Sequence, residues 1–246
     1  MSKPLIHLDT DKADEEIQEQ LLRLVPVYQS LASSSKVHLI QSLVSRLLLQ
    51  HIFEAYFIGL PAEHADELSK AEKYLSTFGK LTGTYHATLA HILQGSLESM
   101  NQWRSTTLAI LRKEAPQKLK TETEAVVETV VNQVNSIMDS IGDIQHTETR
   151  DQPLRALVNS AIDLSRLLRV QKAIFSIIMP SIEGYQRTMF DPDTMEDIGG
   201  EDEDTLSERE IRCVTFPGIL KLGDENGERT HLRNVVAKIR VLCAPD

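Results

Sequence analysis

The chain has 246 residues, of which 41% are hydrophobic and only 5% are aromatic. This length fits one large domain, or one domain with a small appendage, whose core is made mainly of Leu, Ile and Val. The formal net charge of −10 disfavours binding to nucleic acid or to anionic lipid. Ten acidic residues and one basic residue lie between Asp191 and Glu210, so this short segment holds most of the net charge.

Apolar residues recur at helical spacing through most of the first 180 residues. The pattern predicts helices over residues 13–31, 36–58, 62–78 and 85–113. A further helix follows Pro116 and ends at Gly142, and the last one runs from Pro153 toward Pro180. We therefore expect a mainly α protein, with a helical bundle of six or seven helices in residues 1–184.

The pattern changes in the last quarter of the chain. Residues 185–210 are acidic, and we expect 191–210 to form a mobile loop that acts as a linker or as a docking segment. From Ile211 onward, apolar and polar residues alternate, with turn residues at 223–227. This alternation predicts that 211–246 form a small β-hairpin that turns near residue 228 and places Cys213 opposite Cys243. Because an isolated hairpin is marginally stable, we expect it to pack on the bundle; pairing with another chain is the alternative.

Apolar residues are spaced among the carboxylates of the acidic segment, which is typical of segments that bind the groove of a partner. The candidate partner-binding residues are Phe190, Met195, Ile198, Leu206 and Phe216. The alternative is a solvated linker. A basic helix face formed by Arg155, Arg166, Arg169 and Lys172 has three interpretations: a solvated face, a nucleic-acid contact, or a dock for the chain's own acidic segment.

The motifs that catalysis and metal binding require are absent or incorrectly spaced. His51 and Glu54 lie three residues apart, but in the reverse order of the Glu-x-x-His pairs of di-iron bundles and without a second pair. The run Ser33 to Lys36 spells Ser-x-x-Lys without the companion elements of penicillin-interacting enzymes, which favours a helix-capping role. We therefore predict no metal, no cofactor and no catalytic residues.

The cellular location is predicted from two features of the sequence. The N-terminus has no apolar stretch of the kind found in secretory signals. Arg46, His51 and Glu54 interrupt the most apolar window, which favours a core helix over a membrane span. We expect an intracellular protein in the cytoplasm, with passive entry to the nucleus at 27.7 kDa. Cys213 and Cys243 are then expected as reduced thiols, with a redox bridge as the alternative.

Several motifs in the last quarter of the chain resemble the C-terminal end of uncharacterised proteins of filamentous fungi. The matching elements are Met189-Phe190-Asp191-Pro192, Met195-Glu196-Asp197, residues 216–221 and 223–227, Arg233 to Lys238, and Arg240 to Cys243. That group includes proteins from clusters linked to hyphal surface and to colony or biofilm morphology. The resemblance implies an intracellular fungal protein of non-enzymatic type and assigns no catalytic residue.

Two function classes remain open on the sequence. The first is a non-enzymatic interaction or regulatory protein, in which the helical body is a scaffold and residues 185–243 contact a protein partner. The second is an enzyme or small-ligand binder with a site in the helical core around Arg46, His51 and Glu54. The missing motifs favour the first class, and a closed polar cavity lined by His51 and Glu54 would favour the second.

Overall fold

The computed structural model describes residues 8–78, 88–142, 147–182, 187–199 and 209–244. Within these ranges the chain forms seven α-helices, one 3-10 turn (Thr10–Lys12) and one π-helical turn (Leu49–Phe53). The helices are α1 (Glu15–Leu24), α2 (Tyr28–Ser34), α3 (Lys36–Leu48), α4 (Ala62–Phe78), α5 (Thr88–Glu114), α6 (Pro116–Ile141) and α7 (Glu148–Arg169). The mainly α prediction is confirmed. None of these helices has both the length and the hydrophobicity of a membrane-spanning segment.

Six strands form two small sheets of three strands each. The strands are β1 (Ile174–Ile178), β2 (Met195–Asp197), β3 (Ile211–Phe216), β4 (Gly218–Leu222), β5 (Arg233–Ala237) and β6 (Ile239–Cys243). The first sheet has the order β1-β4-β5, and all its strands are antiparallel. The second has the order β2-β6-β3, in which β2 runs parallel to β6.

The main hydrophobic core lies between α1, α2, α3, α6 and α7. Helix α6 is central because its apolar residues follow three and four positions apart and face α3 and α7. Its buried side chains include Val130, Val131, Val134 and Ile137. Helix α3 contributes Leu39, Leu43 and Leu47, all with no exposed surface. As the sequence indicates, aliphatic residues form nearly all of this core.

A second, smaller core lies between the β2-β6-β3 sheet and the segments that contain Met179 and Phe190. Its buried members are Met179, Phe190, Met195, Ile211, Val214, Ile239 and Val241. A buried hydrogen bond joins this sheet to the bundle, because Ser45 Oγ donates to the carbonyl of Thr215 at 2.8 Å. Arg46 strengthens the junction by donating to the carbonyls of Met179 and Pro180.

The predicted helix running toward Pro180 is wrong beyond Arg169. Side chains of α5 hydrogen-bond to the backbone carbonyls that follow the end of α7. Ser105 Oγ donates to Val170 O at 2.6 Å, and Arg104 Nη2 donates to Gln171 O at 2.9 Å. The chain then turns and forms β1, whose residues Ile174–Ile178 are mostly β-branched or aromatic and suit a strand.

The C-terminal β structure is more extensive than the single predicted hairpin. Strand β4 pairs with β5 and β3 pairs with β6, and each pair gains a third strand from a part of the chain that the sequence indicated as helix or loop. Pro217, which has no N–H, separates β3 from β4. The predicted pairing of Cys213 with Cys243 is also wrong: Cys213 lies opposite Leu242 and Cys243 opposite Ile211, with a register shift between Ile211 and Cys213.

Candidate protein-binding groove

An apolar depression lies between α3 and α7, over α6. Both helices pack on α6, whose Val134 and Met138 form the floor at one end. Two adjoining cavities of about 400 and 430 Å³ make up the depression. They share Ile40 and Val44 of α3 and Leu157 of α7, so they form one continuous surface, called the α3/α7 groove below.

The walls of the α3/α7 groove have the residue spacing of a helix-packing seam. On α7 the stripe consists of Leu154, Leu157, Ala161, Leu164 and Leu168, spaced alternately three and four residues apart. On α3 it consists of Ile40, Val44 and Leu48. Spacing of three and four residues is the pattern by which helices pack at a shallow angle. Leu157 is nevertheless 47% exposed, so the seam has no covering element in the described part of the chain.

The exposed surface of α7 beside the groove carries few charges after Arg150, which lines one end of the groove and pairs with Asp139 at 2.7 Å. Between residues 152 and 167 its exposed side chains are Gln152, Pro153, Ala156, Leu157, Asn159, Ser160, Asp163, Leu164 and Leu167. Asp163 is the single charged residue among them, although 25% of the chain is charged. Depletion of charge around exposed apolar side chains is characteristic of the core of protein interfaces.

Phe216 and Pro217 close one end of the α3/α7 groove. The Ser45–Thr215 hydrogen bond fixes the end of β3 against α3 and thereby places Phe216 beside Leu164 at the groove. The side chain of Phe216 is 38% exposed, and the Arg240 guanidinium lies 5.9 Å from its ring centroid. Among the predicted partner-binding residues that the structure describes, Phe216 alone lines the groove.

The structure does not bring the five predicted partner-binding residues together. Phe190 and Met195 are buried in the second core. Ile198 is half-buried, and its N–H donates to the carbonyl of Val241 at 2.9 Å. Leu206 lies outside the described residues.

The expectation of a mobile loop over 191–210 is wrong for residues 191–199. Met195–Asp197 form β2, and the acidic side chains at both ends of this strand bind backbone N–H groups. Asp191 Oδ1 accepts from Asp193 N at 3.1 Å, and Asp197 Oδ1 accepts from Cys243 N at 3.0 Å. Two carboxylates that the sequence assigns to a docking segment, those of Asp191 and Asp197, therefore stabilise a local turn and the edge of the sheet. Residues 200–208 lie outside the described ranges.

Three arginines of the predicted basic helix face are engaged within the fold. Arg155 forms two hydrogen bonds with Glu128, at 2.8 and 3.0 Å. Arg166 donates to Ile58 O, and Arg169 donates to Tyr56 O while stacking 4.8 Å from the Tyr56 ring centroid. These contacts use the guanidinium groups that a nucleic-acid or acidic-segment contact would require.

The alternative site around Arg46, His51 and Glu54 is not assembled as a single polar cavity. His51 Nε2 is 2.8 Å from Gln133 Oε1, and Arg46 donates to Met179 O, so these two residues are used in packing. Burial lowers the pKa of Arg46. Glu54 lines a separate cavity of about 360 Å³ together with Arg169, Ser165 and Ser176. No group of three metal-ligating side chains occurs in the described residues.

No disulfide joins Cys213 to Cys243 in the structure. Cys213 is buried, and its burial raises the pKa of the thiol. A raised pKa keeps the thiol protonated and unreactive at neutral pH. This environment suits a packing role for Cys213.

Comparisons of the chain with protein-family models, with curated proteins and with solved structures find no match. The geometry of the α3/α7 groove is therefore the basis for the functional argument. The α7 stripe is visible in the sequence, but its exposure is not, because spacing alone does not reveal which apolar faces another element covers.

Proposed function

We propose that the chain is a non-enzymatic interaction protein whose α3/α7 groove binds an amphipathic helix of a protein partner. The observation that supports this most directly is the exposed, charge-depleted stripe of α7 opposite the apolar face of α3. Helix-in-groove recognition uses anchors spaced three and four residues apart, and the α7 stripe has the same spacing.

The dimensions of the groove favour a helix over a small molecule. From Pro153 to Leu164 the groove follows α7 for about 17 Å at ~1.5 Å per residue, which matches three turns of a partner helix. Both cavities are lined mostly by aliphatic side chains and offer few polar groups to orient a small ligand. Burial of one Leu-sized anchor contributes about 1.5–3 kcal/mol, so three anchors contribute about 4.5–9 kcal/mol against an association cost of about 4–15 kcal/mol. Specific binding therefore also needs further contacts along the groove.

The context of the proposal follows from the resemblance of the C-terminal quarter to filamentous-fungal proteins. We infer an intracellular regulatory role, with the groove as the contact to a protein that affects hyphal surface or colony and biofilm morphology. Cells in which the chain bears Leu157→Asp should then show the same colony morphology as cells that lack the protein. Normal morphology in the Leu157→Asp strain would contradict this role for the groove.

Photo-crosslinking in the native host tests the proposed partner contact. A benzoylphenylalanine replaces Leu157 in the groove, and a matched control replaces Ile110, which is 55% exposed on α5. We expect crosslinks from position 157 to one amphipathic helical segment of another protein, and none of these from position 110. Crosslinks only between copies of this chain, or identical products from both positions, would contradict a separate helical partner.

The double variant Leu157→Asp, Leu164→Asp is expected to weaken partner binding by at least about tenfold, which corresponds to 1.4 kcal/mol. Both side chains are exposed at the groove, so the fold should tolerate the change. Titration of the purified partner segment against the variant and against Ile110→Asp measures the effect. Equal affinity for wild type and double variant would exclude the groove as the binding surface.

A second candidate function is binding of a small polar ligand in the cavity beside Glu54. The observation that favours it is the opposite charge of Glu54 and Arg169 in one cavity of about 360 Å³, within the range of ligand sites. A metabolite that raises the melting temperature of the wild type, but not of Glu54→Gln, would support this candidate. A groove variant would leave that response unchanged.

A further inference from the structure

The β1-β4-β5 sheet has almost no buried side chains. Of its residues only Gly218 is buried, while Phe175, Ile177, Ile219 and Leu220 are half-buried. A small sheet normally buries one apolar face to be stable. The apolar residues of this sheet are therefore only partly covered in the part of the chain that is described.

Strand β5 forms one edge of this sheet. It pairs with β4 on one side, with Leu220 opposite Val235 and Leu222 opposite Arg233. No strand in the described residues pairs with its other side, and all five of its residues are exposed. An unpaired edge presents backbone N–H and C=O groups that can pair with another extended chain.

The segment that includes β5 is basic, although the whole chain has a net charge of −10. Residues 229–240 contain Arg229, Arg233, Lys238 and Arg240, and no acidic residue. Arg240 belongs to β6 of the other sheet and lies 3.5 Å from Glu196 of β2, so the basic residues nearest the β5 edge are Arg229 and Arg233. The charge is complementary to an acidic segment and repels a basic one.

Protection against aggregation is the alternative explanation for such an edge. Charged side chains and β-bulges are common devices of this kind, and the register between β4 and β5 shifts at Val236. A protected edge does not expose neighbouring apolar side chains, however, whereas Leu232, Val235 and Val236 are 42%, 38% and 56% exposed. The combination of exposed apolar residues with positive charge favours a binding edge.

We propose that the outer edge of β5 binds an extended segment of a partner protein in which acidic and apolar residues alternate. The backbone of that segment pairs with Arg233–Val235, and the bulge at Val236 ends the regular pairing. Its carboxylates lie near Arg229 and Arg233, and its apolar side chains cover Leu232 and Val235. This surface is separate from the α3/α7 groove.

A fluorescein-labelled peptide of alternating glutamate and valine tests the proposal by fluorescence anisotropy with the full chain. Three comparison ligands are used: the same peptide with lysine for glutamate, the same peptide with N-methylated valines, and an oligothymidylate of equal charge. We expect the glutamate peptide to bind at least tenfold more tightly than each of the three. Equal binding of the N-methylated peptide would overturn backbone pairing, and tighter binding of the oligonucleotide would overturn a peptide partner.

Three variants of the chain complete the test. Arg233→Glu should weaken binding of the glutamate peptide at least tenfold. Lys113→Glu makes the same charge change at the exposed end of α5 and should leave this affinity unchanged. An equal loss in both variants would reduce the interaction to general charge attraction and overturn the proposal. Leu157→Asp should bind the peptide as the wild type does, which separates this edge from the groove.

Discussion

Replacement of Phe190 by alanine is expected to lower the free energy of unfolding by about 3–5 kcal/mol. The side chain of Phe190 is 4% exposed and lies in the second core with Met195, Val214 and Val241. Its removal leaves a cavity that the surrounding strands cannot fill, because β2 and β3 are both paired to β6. Urea unfolding followed by circular dichroism measures the change.

Phe216→Ala is the matched control, because it removes the same side chain from the exposed end of the groove. With 38% of its surface exposed, Phe216 contributes less burial, and we expect a loss below about 1.5 kcal/mol, of the order of partial burial of one apolar side chain. Partner binding should fall in this variant while stability is largely retained. Equal destabilisation by the two substitutions would contradict the assignment of Phe190 to the core and of Phe216 to the surface.

Gly59→Ala is expected to destabilise the chain by roughly 2–6 kcal/mol. Gly59 has a φ of +97°, which a residue with a Cβ adopts at a cost of about 1–3 kcal/mol. A Cβ at this position would also lie 2.8 Å from Leu119 O and 2.7 Å from Arg166 Nη2. Displacement of a packed backbone adds overpacking strain of about 1–3 kcal/mol.

Gly199→Ala separates this effect from a general cost of adding a methyl group. At Gly199 the Cβ would lie 2.8 Å from Oδ2 of Asp197, a side-chain atom rather than backbone, and φ is not in the left-handed region. A shift of this carboxylate weakens its hydrogen bonds to Gly199 N and Cys243 N, so we expect a loss of at most about 1.5 kcal/mol. Thermal unfolding of the two variants side by side gives the comparison; similar melting temperatures would contradict the tight packing of Gly59 between α6 and α7.

The helices were largely predictable because their apolar spacing agrees with their packing. The run from Val127 to Ile141 has one narrow stripe, and the structure buries that stripe in α6. Gly59 and Pro61 indicate a chain reversal, and the structure places the turn there after the π-helical segment Leu49–Phe53.

The β structure was less predictable because it depends on pairing between distant residues. Ile174–Ile178 continue the apolar spacing of α7, so periodicity alone does not distinguish a further helical turn from a strand. In the sequence, the surrounding carboxylates favour a docking role for Met195 and Phe190. Their burial depends on the parallel pairing of β2 with β6, which places Met195 opposite Ile239 and leaves no local signal in the sequence.

The exposure of the α3/α7 groove was also not predictable from the sequence. Leu157 and Leu164 belong to a stripe of the kind that normally faces a core, and the sequence treats all members of that stripe alike. In the structure α6 covers Val158 and Ile162 on one side of α7, while Leu157 and Leu164 face the open groove. The exposed side of a wide apolar stripe depends on how many helices pack against it. The sequence of α7 alone does not show that number.

Methyl NMR with a model helix tests whether the α3/α7 groove binds an amphipathic helix. A chain labelled at Ile, Leu and Val methyl groups is titrated with an amphipathic helical peptide whose leucines are spaced alternately three and four residues apart, and with a peptide of the same composition in shuffled order. We expect chemical-shift changes confined to Ile40, Val44, Leu157 and Leu164, and only with the regularly spaced peptide. Equal responses to both peptides, or shifts centred on the exposed Leu22 and Ile110, would contradict a helix-binding groove.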